Sequence, residues 1–126
     1  MTLHDSLEEL FRTRGYAIIR SSPDNNFLLL ERSGSKMSVG YSSPESPPTE
    51  GEADMFLSMA MNEDPDSVLF ISPAEIPSKV RTELTRENVE IWDRTALAIN
   101  LGELQLLKST KKEEKKSPLD LFTDGE

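Results

Sequence analysis

The sequence contains no cysteine. A disulfide scaffold, a zinc site with cysteine ligands, an iron–sulfur cluster and thiol catalysis are therefore excluded. Long hydrophobic runs are also missing, because no unbroken apolar run exceeds four residues. A membrane-spanning helix needs about 20 apolar residues in a row, so the sequence predicts none. The beginning of the chain shows no basic segment followed by an apolar core, and we expect an intracellular, cytoplasmic protein.

Positive charge is scarce. The chain has 14 Lys and Arg against 23 Asp and Glu, which gives a net charge of −9. This excess comes from residues 1–106, because residues 107–126 carry equal numbers of both signs. Proteins that bind duplex DNA depend on Lys and Arg to displace phosphate counterions. The charge therefore disfavours DNA as a partner, although a local basic patch would be compatible with it.

Two residue types that often carry chemistry receive structural interpretations. Histidine occurs once, as His4, and a Ser- or Cys-type catalytic triad would have to use this residue near the chain terminus. We expect His4 to be an ordinary surface residue. Met55 and Met59 have helical spacing, which predicts that both are core residues, although methionines on one helix also suit an adaptable binding surface.

Hydrophobic periodicity predicts helices and strands in the order α-β-β-β-α-β-α-β-α. An early hairpin implies antiparallel strands, and the later alternation of helix and strand implies parallel pairing. The predicted fold class is therefore α/β, with a mixed central sheet flanked by helices. The predicted strands are residues 16–20, 27–32, 36–41, 67–71 and 89–92, and the predicted helices are residues 3–14, a segment from a capping box at 49–52 to residue 62, a segment beginning near residue 72, and residues 95–108.

A short apolar motif lies in the polar end of the chain. We expect residues 1–108 to form one domain and residues 109–126 to form a flexible charged tail that contains Leu119, Leu121 and Phe122. The spacing of Leu119 and Phe122 loosely resembles a peptide that binds a DNA sliding clamp, although other positions of that motif do not match. The sequence thus predicts a protein partner for these three residues, with a sliding clamp as one candidate and a disordered end as the alternative.

Several segments resemble the Mrr-type branch of the restriction-endonuclease-like nucleases, the PD-(D/E)xK superfamily. The element order agrees, and the resembling strings are residues 7–16, 27–41, 68–72 and 89–94, the last followed by Leu101-Gly102. In that family an acid near the start of the hairpin's first strand and a Glu/Gln-x-Lys on its second strand hold Mg²⁺ and position the attacking water. The resemblance therefore implies where a catalytic site would lie.

The residues at those positions lack the required chemistry. Alignment of the hairpins places Leu28 at the position of the acid, and Gly40 and Ser42 at the ends of the Glu/Gln-x-Lys. None of these side chains is an anionic ligand or a cation. The resemblance thus implies a catalytically silent nuclease-like domain, with no catalytic residue, metal or cofactor, that serves as a binding or regulatory module in DNA maintenance.

Two alternatives remain open at this point. Asp24, Glu31 and Lys36 lie near one another along the hairpin sequence and could form a relocated Mg²⁺ site, which would make the protein an active DNA endonuclease. The simpler interpretation of these three is a turn aspartate and an ion pair at a strand end. The second alternative is a structural subunit that binds another protein without any nucleic-acid contact.

Overall fold

The computed structural model describes the backbone of residues 2–43 and 45–115 and the side chains as far as Leu104. Leu119, Leu121 and Phe122 lie outside the described residues. Within the part described, no helix is long and apolar enough to cross a membrane.

The described residues form four α-helices and one five-stranded sheet. Their order is the predicted one, and the α/β fold class is confirmed. The elements are α1 (Leu3–Thr13), β1 (Ala17–Ser22), a 3₁₀ turn (Pro23–Asn25), β2 (Phe27–Arg32), β3 (Ser35–Tyr41), α2 (Glu50–Asn62), β4 (Ser67–Ile71), α3 (Ser78–Arg86), β5 (Glu90–Trp92) and α4 (Arg94–Lys115).

The strands lie in the sheet in chain order, from β1 to β5. The first three form an antiparallel meander, whereas β4 pairs in parallel with β3, and β5 pairs in parallel with β4. Ser33 and Gly34 join β2 to β3 with φ angles of 53° and 82°, the left-handed backbone that a two-residue hairpin turn requires. The parallel pairs need crossovers, which α2 and α3 supply.

Helices cover both faces of the sheet. Both crossovers move the chain in one direction across the sheet, and crossovers of this kind are almost always right-handed, so α2 and α3 share one face. The other face is covered by α1 and α4. Phe27 and Leu29 of β2 pack in the core beneath α2 and α3, whereas Leu28 and Leu30 pack beneath α1 and α4. This two-sided burial explains the unbroken apolar run of β2.

Three element boundaries differ from the sequence prediction by two or more residues. The third helix begins at Ser78, not near Ser72, because Pro77 disfavours helical backbone at the residue before it. Strand β1 continues to Ser22 through predicted turn residues, since Ser21 and Ser22 pair with the start of β2. The last helix also continues to Lys115, past its predicted end at residue 108.

Candidate functional site

The positions that the resemblance assigns to catalysis do not share one face of the sheet. Leu28 is completely buried beneath α1 and α4. Gly40 instead faces Phe56 of α2 on the opposite side. Its partner in register is Phe27, which belongs to the same core as Phe56. An acid at position 28 would therefore point away from residue 40.

The space beside Gly40 is occupied by an aromatic ring. A Cβ atom built on Gly40 would lie 2.3 Å from Cδ1 and from Cε1 of Phe56. Phe56 is itself buried and packs against Phe70, with ring centroids 5.2 Å apart. No side chain fits at position 40 unless Phe56 moves, so glycine is required there by packing.

Ser42 links two segments of the chain. It is buried just beyond the end of β3, and its backbone N–H donates a hydrogen bond of 2.9 Å to the carbonyl oxygen of Ile71. The Ser42 hydroxyl donates to Oγ of Ser72 at 2.9 Å, and the Ser72 hydroxyl donates to the carbonyl oxygen of Ala74 at 2.5 Å. These bonds satisfy the two buried hydroxyls and tie β3 to the segment that follows β4.

The residues proposed for a relocated metal site lie at opposite ends of the β2–β3 hairpin. Glu31 and Lys36 face each other in register beside the turn, which we call the turn end. Asp24 belongs to the 3₁₀ turn that precedes Phe27, at what we call the open end. The four residue steps of strand from Phe27 to Glu31 span about 13 Å. The structure therefore does not bring the three candidates together.

Lys36 is engaged in backbone contacts at the turn end. Its Nζ donates to the carbonyl oxygen of Glu63 at 2.9 Å, and its backbone N–H donates to Oδ2 of Asp66 at 2.8 Å. Among the described residues Lys36 makes no ion pair with Glu31. In the same part of the chain, no three acidic or histidine side chains are grouped so that they could hold a metal ion.

A cavity of about 250 Å³ lies at the open end, and we call it the hairpin pocket. It is bounded by the 3₁₀ turn, the end of β3 and one side of α2. Apolar and aromatic side chains form much of its wall, and two carboxylates and two amides add polar groups. The lining residues are Asp24, Asn25, Asn26, Tyr41, Ser42, Pro48, Glu52, Met55, Phe56, Met59 and Phe70.

The described lining of the pocket is acidic. It contains no Lys, Arg or His among the residues that the structure describes. The carboxylate of Asp24 makes no hydrogen bond or ion pair with any described residue. Glu52 uses Oε1 to accept from the Thr49 N–H at 2.9 Å, as part of the predicted capping box of α2. The sequence identified Glu52 only as a cap, because its proximity to the 3₁₀ turn arises from the tertiary fold.

The prediction that Met55 is a core residue is wrong. Met55 is 70% exposed and lies at the hairpin pocket. The face of α2 turned towards the sheet is occupied by Ala53, Phe56 and Ala60, which leaves Met55 on the outer side. Met59 is half-buried and packs against that core, so its core prediction is confirmed.

The prediction that His4 is an ordinary surface residue is also wrong. Its side chain is buried between α1, β1 and β3. Nδ1 lies 2.7 Å from the Tyr41 hydroxyl, and Nε2 lies 2.7 Å from Oγ of Ser21. The Ser21 hydroxyl donates to Glu8 at 2.5 Å. Burial, together with the negative charges of Asp5 and Glu8, raises the pKa of Tyr41 to about 12.

This polar cluster is not a catalytic triad. In a triad, one histidine nitrogen takes the serine proton and the other donates to a carboxylate. Here Nδ1 of His4 contacts Tyr41, whereas Ser21 and the carboxylate of Glu8 both lie at Nε2, at 2.7 and 3.4 Å, and Glu8 also accepts from the Ser21 hydroxyl. The cluster instead satisfies polar groups where α1 packs over the sheet.

Comparison of the chain with profiles of known protein families, with curated proteins and with solved structures finds no match.

Proposed function

We propose that this protein is a nuclease-like domain without catalytic activity that serves as a binding or regulatory module in DNA maintenance, as the sequence resemblance implies, and that it acts in the cytoplasm. The observation that carries the proposal is the ring of Phe56, which occupies the space beside Gly40. A Glu or Gln at that position would hold the catalytic metal in an active relative. Here the same space belongs to the packed core.

The arrangement of the hairpin argues against the relocated site. Asp24 lies at the open end, whereas Glu31 and Lys36 lie at the turn end. The ammonium group of Lys36 also donates a hydrogen bond to the carbonyl oxygen of Glu63. A lysine that activates water must lie beside the metal ligands and the scissile phosphate.

A cleavage assay tests this proposal. The full chain is incubated with duplex, branched and single-stranded DNA in the presence of Mg²⁺ or Mn²⁺, with EDTA as the metal-free control. We expect no cleavage above background. Cleavage that disappears in both an Asp24→Ala and a Lys36→Ala variant would overturn the proposal and establish the relocated site.

A second candidate is an interaction subunit that contacts no nucleic acid. It is favoured by the net charge of −9, since DNA affinity rises with the number of phosphates neutralised by Lys and Arg. Retention of labelled duplex DNA, measured across a range of salt concentrations, separates the candidates. An interaction subunit should show no retention at physiological salt, whereas retention that falls steeply with salt would favour DNA contact.

The tail motif remains part of the proposed binding role. We expect that changing Leu119 and Phe122 to alanine abolishes capture of a sliding clamp, if the tail is the docking element, while the melting temperature of the chain stays the same. Surface-bound clamp and the full chain are sufficient for this measurement. Unchanged capture by the double variant would remove the tail from the proposal.

A further inference from the structure

We infer that the hairpin pocket binds one arginine side chain, presented by an extended basic segment of a partner protein. This inference rests on the proposed function, since it names the partner chemistry of a binding module. It concerns the open end of the hairpin, which the sequence resemblance associates with catalysis. Size, charge and the chemistry of the lining support it separately.

The size of the pocket favours a single side chain. Sites for small molecules and cofactors commonly enclose about 300–1,000 Å³, and this cavity encloses about 250 Å³. A nucleotide would exceed the enclosed space. A long, slender side chain that enters from the surface would fill it.

The charge of the pocket favours a cationic occupant. Asp24 has no hydrogen-bonding or ionic partner among the described residues, and Glu52 keeps Oε2 free of any hydrogen bond found there. None of the described residues that line the cavity is basic. A positive group of a partner would therefore meet no basic residue of the described lining that already neutralises the carboxylates. The negative charge of the whole chain would assist its approach.

The lining favours a guanidinium over a metal ion or an ammonium. Mg²⁺ keeps a near-octahedral shell of oxygen ligands, whereas this pocket pairs its two carboxylates with the half-buried side chains of Tyr41 and Met59. The rings of Phe56 and Phe70 form its buried floor. A guanidinium is weakly hydrated, lies flat on aromatic surfaces and donates two parallel N–H hydrogen bonds to the oxygens of a carboxylate. An ammonium is compact and strongly hydrated, so it gains less from such walls.

Two further features suit an arginine within a peptide. Asn25 donates its amide N–H to Oγ of Ser22 at 2.8 Å, which leaves its side-chain carbonyl available to accept from the guanidinium. Met55 is 70% exposed beside the cavity and offers an adaptable apolar contact to a neighbouring residue of the partner. Free arginine has no neighbouring residue and would not make this contact with Met55.

The test uses the ¹⁵N-labelled full chain and three acetylated, amidated nine-residue peptides of Gly and Ser. Each peptide carries one central residue, which is arginine, lysine or the uncharged isostere citrulline. We expect the arginine peptide to cause saturable shifts of the amide signals of Asn25, Asn26 and Met55. The lysine and citrulline peptides should bind about threefold and about tenfold more weakly, respectively.

Matched variants locate the contact. Asp24→Asn and Glu52→Gln should each weaken the arginine peptide about threefold or more, and glutamine at position 52 preserves the capping box. Glu31→Gln removes the same charge at the turn end and should change nothing. Met55→Ala should weaken binding, whereas Met61→Ala, on the same helix but outside the lining, should not.

Several results would overturn the inference. The first is the absence of saturable shifts, and the second is equal binding of the arginine peptide and either the citrulline or the lysine peptide. A third is equal weakening by Asp24→Asn and Glu31→Gln. The last is a set of shifts centred on Asp54 of α2 and Glu83 of α3, a pair of neighbouring carboxyl groups outside the hairpin pocket. Failure of peptide binding would leave the absence of DNA cleavage untouched. Cleavage in the nuclease assay would end the proposed function without altering the peptide result.

Discussion

The two ends of the β2–β3 hairpin carry similar polar residues and use them differently. At the turn end, Lys36 bonds to Glu63 and Asp66 and thereby joins β3 to the connection between α2 and β4. At the open end, the carboxylate of Asp24 makes no such contact, and it borders a cavity together with Glu52.

This difference shows that residues close together in the sequence need not form one metal site in the folded chain. The sequence suggested one metal site from three residues that are close along the chain, Asp24, Glu31 and Lys36. The strands of the hairpin hold them at opposite ends. At the turn end, Lys36 and Asp66 tie β3 to the segment before β4, whereas the carboxylate of Asp24 at the open end contacts no described residue.

The largest expected effect concerns the apolar wall of the hairpin pocket. Phe70 is 3% exposed and packs against Phe56. Phe70→Ala should lower the free energy of unfolding by about 3–5 kcal/mol. Urea unfolding followed by the fluorescence of Trp92 measures it. A loss below about 1 kcal/mol would mean that this wall of the open end is loosely packed.

The next effect tests the requirement for glycine at position 40. Gly40→Ala should destabilise by about 1–3 kcal/mol, because its Cβ would overlap the Phe56 ring. Gly102→Ala is the control, since a Cβ there meets nothing within 4 Å, and it should stabilise α4 by up to about 1 kcal/mol. Adding Phe56→Leu to Gly40→Ala should cost less than the sum of the single changes. Strict additivity would contradict the overlap.

A smaller effect belongs to the turn end. Lys36→Met keeps the aliphatic stem but removes the hydrogen bond to the Glu63 carbonyl, and it should cost about 0.5–1.5 kcal/mol of unfolding free energy. Lys79→Met on the exposed side of α3 is the matched control and should stay within about 0.5 kcal/mol. Equal effects of the two changes would remove the structural role of Lys36.

The pH dependence of stability tests the half-buried phenol of Tyr41 at the open end. Its pKa is raised from the ordinary value of 10.0 to about 12. Between these values the unfolded chain releases a proton that the folded chain retains, so the free energy of unfolding falls as the pH rises through this window. Tyr41→Phe should show a shallower fall over the same range in denaturant titrations. Identical slopes would contradict the raised pKa.

The smallest effect is expected at Asp24. Because its carboxylate contacts no described residue, Asp24→Ala should change the unfolding free energy by no more than about 0.5 kcal/mol. Asp66→Ala, at the turn end, removes the acceptor for the Lys36 N–H and should cost about 1 kcal/mol or more. Equal losses of unfolding free energy in the two variants, measured by thermal unfolding, would contradict the difference between the two ends of the hairpin.

Local signals in the sequence predicted much of the fold. The capping box of Thr49 and Glu52, the turn at Ser33 and Gly34, and the apolar runs of β2 and β4 are present as predicted. Each depends on residues close together in the chain, because capping, turn geometry and side-chain alternation act over a few positions. The order of these elements was sufficient to predict an α/β fold with a mixed sheet.

Contacts between segments that are far apart in the sequence determine which residues lie together at the candidate site. Burial of His4 depends on Ser21 and Tyr41, and the requirement for glycine at position 40 depends on Phe56, sixteen positions away in the sequence. The hairpin pocket exists because the 3₁₀ turn, β3 and α2 meet at one end of the sheet. Local pattern determined which segments are helix or strand. Packing between them determined which face each residue occupies and which carboxylate remains unpaired, because these depend on neighbours that local periodicity does not encode.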